Sequence, residues 1–168
     1  MLIAHAPAGY IIAKKMNCER KPLVIASMVF ALLPDLDLLY YYTANRQELF
    51  HHYYFPHLPL ALLTCFCFAW LLLKLLKRET AETVKPYFLL LFLNWFVHLL
   101  LDTVTGGIAW LYPLSSEMTT LLAIPAAYSH WVLSFVLHWS FLFELGIVAF
   151  ALLLFRRARK SSSVTAAS

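Results

Sequence analysis

The sequence predicts an all-α protein of the membrane: a polytopic bundle of about five transmembrane helices. Three observations lead there. Of its 168 residues 62% are hydrophobic and only 13% are charged, whereas a soluble domain carries about a quarter charged residues. Mean hydropathy is +0.72. Runs such as 56–73 and 86–101 contain no Lys, Arg, Asp or Glu and approach the roughly 20 residues that cross a bilayer. The runs are continuous and do not alternate with period two, so helices are expected and a barrel is not.

Each helix has its own signal. The first covers residues 2–16. Only about 13 residues precede Lys14, roughly 20 Å of helix, which is short for a full crossing. The second starts near Pro22, a residue suited to a first helical turn, and is interrupted at Pro34. The third covers 57–76 and the fourth 85–104. The fifth covers 130–155. Between the last two, residues 105–129 are rich in turn formers (Gly106, Gly107, Pro113, Pro125) and read as a loop or re-entrant piece. Residues 1–160 form one membrane domain, and 161–168, "SSSVTAAS", read as a disordered tail.

Charge sets the orientation. Twelve of the 13 Lys and Arg residues fall in three clusters. These are Lys14, Lys15, Arg20 and Lys21; Lys74, Lys77, Arg78 and Lys85; and Arg156, Arg157, Arg159 and Lys160. Only Arg46 lies on the other side. The positive-inside rule makes the clusters cytoplasmic and the N-terminus external. The net charge of +4 is thus spread over membrane faces and forms no nucleic-acid patch. Cys18, Cys65 and Cys67 show no zinc spacing and read as packing residues. Tyr40, Tyr41, Tyr42, Tyr53 and Tyr54 suit an interfacial aromatic belt, and His130 and Trp131 suit interface anchors.

The ionisable residues within the apolar runs carry the chemistry. All three aspartates, Asp35, Asp37 and Asp102, and most of the seven histidines interrupt such runs. Groups of this kind are kept in apolar surroundings when paired, metal-bound or facing a wet cavity. Asp and His together are metal ligands. At about 1.5 Å per residue from the nearest basic cluster, His5 lies ~14 Å away, His98 ~20 Å, Asp35 ~21 Å, His57 and Asp102 ~25 Å and His138 ~27 Å. All land in the outer half of a bilayer about 30 Å thick. His98 and Asp102 are four apart and share a helix face. Pro34 disturbs the helix at "PDLD", which lets Asp35 and Asp37 turn to one cavity. "HYYFPH" carries His52 to His57 across a Pro-containing turn. The bland alternatives are a hydrogen-bonded pair for His98 and Asp102, capping for Asp35 and Asp37, and an interfacial ring for His5. His138 and Glu144, six apart, share no helix face and stand only as neighbours of a site or channel.

The order His5, then Pro34-Asp35-Leu36-Asp37, then His52 and His57, then His98 and Asp102, followed by Gly106, Gly107 and Pro113, resembles the membrane-bound metal-dependent hydrolases. These are small bacterial and archaeal inner-membrane proteins, the DNA-damage-induced type among them. The resemblance spans residues 1–113. It implies an inner-membrane enzyme with His5, Asp35, Asp37, His52, His57, His98 and Asp102 as metal ligands. It is also reminiscent of zinc-dependent phospholipase C, which uses an H-x3-D pair. The chain departs from the family's middle motif, HRGFTHS, at Tyr53, Pro56 and Leu58, which removes a cation and two hydroxyls. The expected function is metal-dependent hydrolysis of a lipid-linked phosphate or ester near the outer leaflet. One or two divalent ions, zinc first and manganese second, would activate water and polarise the substrate oxygen. Asp37 is the expected proton acceptor, with Asp35 next. The runner-up is a membrane protein that binds or transports a metal without catalysis.

Overall fold

The computed structural model describes residues 1, 3–43 and 51–165. Arg46 therefore lies outside the described residues, as does the end of the expected tail. The described residues form seven α-helices: α1 (His5–Lys15), α2 (Lys21–Phe30), α3 (Asp37–Thr43), α4 (Pro59–Leu75), α5 (Arg78–Thr105), α6 (Trp131–Val136) and α7 (Phe141–Thr165). Three 3-10 turns, Pro34–Leu36, His51–Tyr53 and Phe55–His57, fall between α2 and α4. An isolated bridge pairs Ile108 with Thr119.

The sequence explains where the helices stop. α1 has Lys14 and Lys15 in its last turn, which suits the negative end of the helix dipole. Asn17 then takes a left-handed conformation with φ 54°. Cys18 N donates to Ala13 O at 2.9 Å and Asn17 N to Lys14 O at 3.1 Å, so the last carbonyls of the helix are satisfied. α2 opens with a proline in its first turn. Pro34 lacks an amide donor, and the chain tightens there into a 3-10 turn before α3. The axes of the two halves differ by 53°.

α5 is the frame. Its 28 residues make a rod ~42 Å long at ~1.5 Å per residue. It packs against α1, α2 and α4, and α7 packs against α1. Leu62, Phe88, Phe92, Leu99 and Ile108 form one core, and Ala13, Cys18, Leu23 and Leu90 form another. Cys18 is a packing residue, as its surroundings in the sequence suggest. Large apolar side chains also face outward, among them Phe68 on α4, Leu93 on α5 and Leu152 on α7. Such faces suit lipid contact.

Length and apolarity single out α5 as able to cross a membrane, with α2 and the segment Pro34–Thr43 passing the same test together as a bent pair. α4 is apolar over a shorter length. The helix expected over 130–155 is two helices, because residues 137–140 break it. His138 Nδ1 pairs with Ser140 Oγ at 2.8 Å within that break. The fourth helix begins at Arg78 and not at 85, since only Leu76 and Lys77 separate it from α4.

α1 and α2 cross unusually closely. A Cβ on Gly9 would lie 2.6 Å from Ser27 O and 2.9 Å from Met28 Cα. Ser27 Oγ donates to Gly9 O at 2.7 Å, and Asn94 Nδ2 donates to Ser27 Oγ at 2.8 Å. This chain of polar contacts ties three helices at one level. Gly9→Ala should push α1 away from α2 and destabilise the fold by about 1–3 kcal/mol. The check is a thermal melt of detergent-solubilised protein; an unshifted midpoint would show that the two helices are not in contact there.

Candidate metal centre

Five elements bring the donors together. Asp102 and His98 stand one turn apart on α5, with His98 Nε2 3.0 Å from Asp102 Oδ2. His5 opens α1 and stacks on His98, ring centroids 3.8 Å apart. Asp35 sits in the turn that follows Pro34. His52 and His57 come from the two turns before α4 and stack on each other at 4.7 Å. Trp95 Nε1 donates to Pro56 O at 2.6 Å, which pins the His57 turn against α5. His5, His52, His57, His98 and Asp102 are all buried. Asp35 keeps 25% of its side chain exposed.

Hydrogen bonds through Nδ1 orient three of the rings. His98 Nδ1 lies 2.9 Å from Ala31 O, His52 Nδ1 2.7 Å from Gly107 O, and His57 Nδ1 2.7 Å from Asp37 Oδ2. A carbonyl or a carboxylate only accepts, so each Nδ1 carries the proton and donates. In the neutral rings each Nε2 is then a lone pair. The three Nε2 atoms point inward. Those of His57 and His98 are 3.2 Å apart. Asp102 Oδ2 lies 3.6 Å from His57 Nε2 and 3.8 Å from His52 Nε2. Asp35 Oδ1 lies 3.6 Å from His98 Nε2 and 3.8 Å from His57 Nε2.

Among the described residues, buried His5 Nε2 and Asp102 Oδ2 make no aligned hydrogen bond. Yet His5 Nε2 is 3.2 Å from Asp102 Oδ1. The donor atoms crowd together from five separate elements. They fall into two sets, each within 4.8 Å: His5, Asp35, His98 and Asp102; and His52, His57 and Asp102. The amino group of Met1 also lies against Asp102 Oδ1. These residues fit a divalent cation by donor chemistry and by tautomer.

The sequence-based ligand set is thus brought together, with one exception. Asp37 stands outside both sets, behind His57. His130 Nδ1 accepts from Val132 N at 3.3 Å and caps α6, far from any ligand role. His138 belongs to the break before α7. Buried Glu144, on α7, accepts from Ile3 N at 2.6 Å and so steadies the segment leading to His5.

A cavity of 690 Å³ opens on the centre. Asp35, His52, Asp102 and Gly106 line its polar end; Leu38, Tyr41, Tyr42, Ile124, Pro125, Tyr128, Trp131 and Phe135 line the rest. The contribution of residues 124–135 had no signal in the sequence beyond turn formers and aromatics.

Fold and site together define a helical membrane protein with a buried cluster of histidine and aspartate donors. The chain belongs to the YdjM inner membrane protein family, whose model matches residues 1–166. That match runs well beyond the motifs. No curated protein and no solved structure matches the chain.

Replacing His98 and Asp102 together by Ala should remove most bound divalent metal, because the pair serves both sets. Elemental analysis of folded protein is the check. Unchanged metal content in the double variant would leave the pair as a structural staple between helices.

Proposed function

We propose that the protein is a membrane-embedded metal-dependent hydrolase acting on a lipid-linked phosphate or ester. The observation that carries this reading is the set of inward Nε2 lone pairs and carboxylate oxygens at one end of a largely apolar cavity. A site built only to staple helices does not need the cavity. Divalent ions held there, zinc first and manganese second, would supply an activated water and polarise a phosphoryl or acyl oxygen.

The residues of the chain divide the remaining work. The exposed part of Asp35 faces the cavity, so Asp35 is the group placed to accept a proton from water. Asp37, the acceptor expected from the sequence, takes a different part: its Oδ2 holds Nδ1–H of His57 and fixes that ring's direction. Ala31 O and Gly107 O do the same for His98 and His52. The apolar and aromatic wall would take the acyl or isoprenoid part of the substrate. Tyr42, Tyr128 and Trp131 are half exposed, as interfacial aromatics are. The bundle would hold about five membrane-embedded helices, the bent α2–α3 pair among them. Its basic clusters would be cytoplasmic and its centre would sit in the outer leaflet.

Two outcomes test this. Wild-type protein in mixed micelles should hydrolyse at least one phosphorylated or ester lipid in a metal-dependent way; silence across such a panel would leave a binding protein. Asp35→Asn should lower turnover roughly 10²-fold or more at saturating metal, while Asp37→Asn should weaken metal affinity by about 10–100-fold and recover turnover when metal is raised. A reversed pattern would return the proton-accepting role to Asp37. For orientation, a reporter fused after residue 160 should read as cytoplasmic. A periplasmic reading would move the site to the inner face.

A further inference from the structure

We propose that the centre takes two divalent cations that share Asp102, one held by four donors and the other by three. This rests on the metal-centre reading above and adds the number of ions and the part played by each set.

The first argument is the number of donors. Four histidines and two aspartates converge, while zinc takes four ligands in a closed site and three in one that keeps a place open. His5, Asp35, His98 and Asp102 supply four. His52, His57 and Asp102 supply three. The two sets therefore have the donor numbers of a closed and an open position.

Asp102 is placed to serve both. Its Oδ1 faces His5 at 3.2 Å. Its Oδ2 faces His98 at 3.0 Å, His57 at 3.6 Å and His52 at 3.8 Å. Oδ2 thus meets donors of both sets, which places Asp102 where both would use it. Within each set the rings stack, His5 on His98 and His52 on His57, and the two sets meet where His57 Nε2 and His98 Nε2 lie 3.2 Å apart.

Both positions reach the cavity: Asp35 of the four-donor set and His52 of the three-donor set line it together with Asp102. His52 is held there by the Gly106-Gly107 turn. Gly107 O accepts from its Nδ1, and a Cβ on Gly106 would run into the His52 ring. Gly106 is thus explained by the second position, while Gly107 is required by its own φ of 81° and by Thr120, whose Oγ1 would lie 2.6 Å from a Cβ there.

Metal stoichiometry tests the proposal without recourse to turnover. Full-length protein in detergent is dialysed against zinc alone and analysed for metal per folded chain, with a thermal melt as the folding control. Wild type should hold two equivalents. His52→Ala and Gly106→Ala should each hold one, and His98→Ala should hold the other one. Wild type with a single equivalent, or His52→Ala with none in a folded chain, would overturn the proposal in favour of one ion bound by all six residues. If His98→Ala does not fold, wild type, His52→Ala and Gly106→Ala still decide between one ion and two. Two equivalents without turnover on any lipid would keep this inference and overturn the hydrolase reading; one equivalent with turnover would do the reverse.

Discussion

The buried carboxylate of Asp102 is the constraint around which the molecule is organised. An ionised group so deep in an apolar bundle is costly unless opposite charge or donors reach it. Here His5, His52, His57 and His98 all come within 3.8 Å of its two oxygens. They arrive from α1, the two turns before α4, and α5 itself. No pair of adjacent helices could supply that set. The bundle must therefore bring the N-terminal helix, the His52–His57 turns and the middle of the chain to one level of α5. The Gly9–Ser27–Asn94 contact does this for α1 and α2, and the Trp95–Pro56 bond does it for the turns.

Much of the site was legible in the sequence because its chemistry conflicts with its surroundings. An aspartate or histidine inside a leucine-rich run needs a reason, and the reason proved to be spatial. The i, i+4 spacing of His98 and Asp102 put both on one face of α5. The break at Pro34 turned Asp35 toward the centre. Depth along each helix put residues far apart in sequence at one level; of these His5, Asp35, His57, His98 and Asp102 come together, and His138 does not. The membrane class was legible too, from composition alone.

Other features left no trace in the pattern of residues. Whether Asp35 or Asp37 faces the centre depends on the few degrees by which the chain turns after Pro34. Both sit in a stretch where 3-10 and α geometry succeed each other, and spacing does not say which side chain points inward. The break at 137–140 is carried by a local His138–Ser140 contact inside an otherwise apolar stretch, so hydropathy read one helix where there are two. The cavity wall at 124–129 comes from an irregular segment without periodicity, and Trp131 and Phe135 of α6 complete it. The helix lengths show the same limit: apolarity counts residues suited to lipid, but α1, α2 and α4 are each too short alone to be counted as full spans.

The departures from the family's middle motif now have physical parts to play. Tyr53 donates its hydroxyl to Ser116 O at 3.0 Å, joining the His52 turn to the irregular segment after α5. Pro56 shapes the His57 turn and offers its carbonyl to Trp95. Leu58 is the residue from which α4 starts. Positions that carry a cation and hydroxyls in the family pattern thus hold the backbone in place here. Among the described residues that line the cavity there is no Lys or Arg. In the hydrolase reading, the tyrosines would contribute neutral hydrogen bonds to an anionic head group, and its charge would be met at the metal centre and beside the amino group of Met1, which lines the same cavity. Such a site would select more by reach to the metal and by fit of the apolar part than by side-chain recognition of the head group.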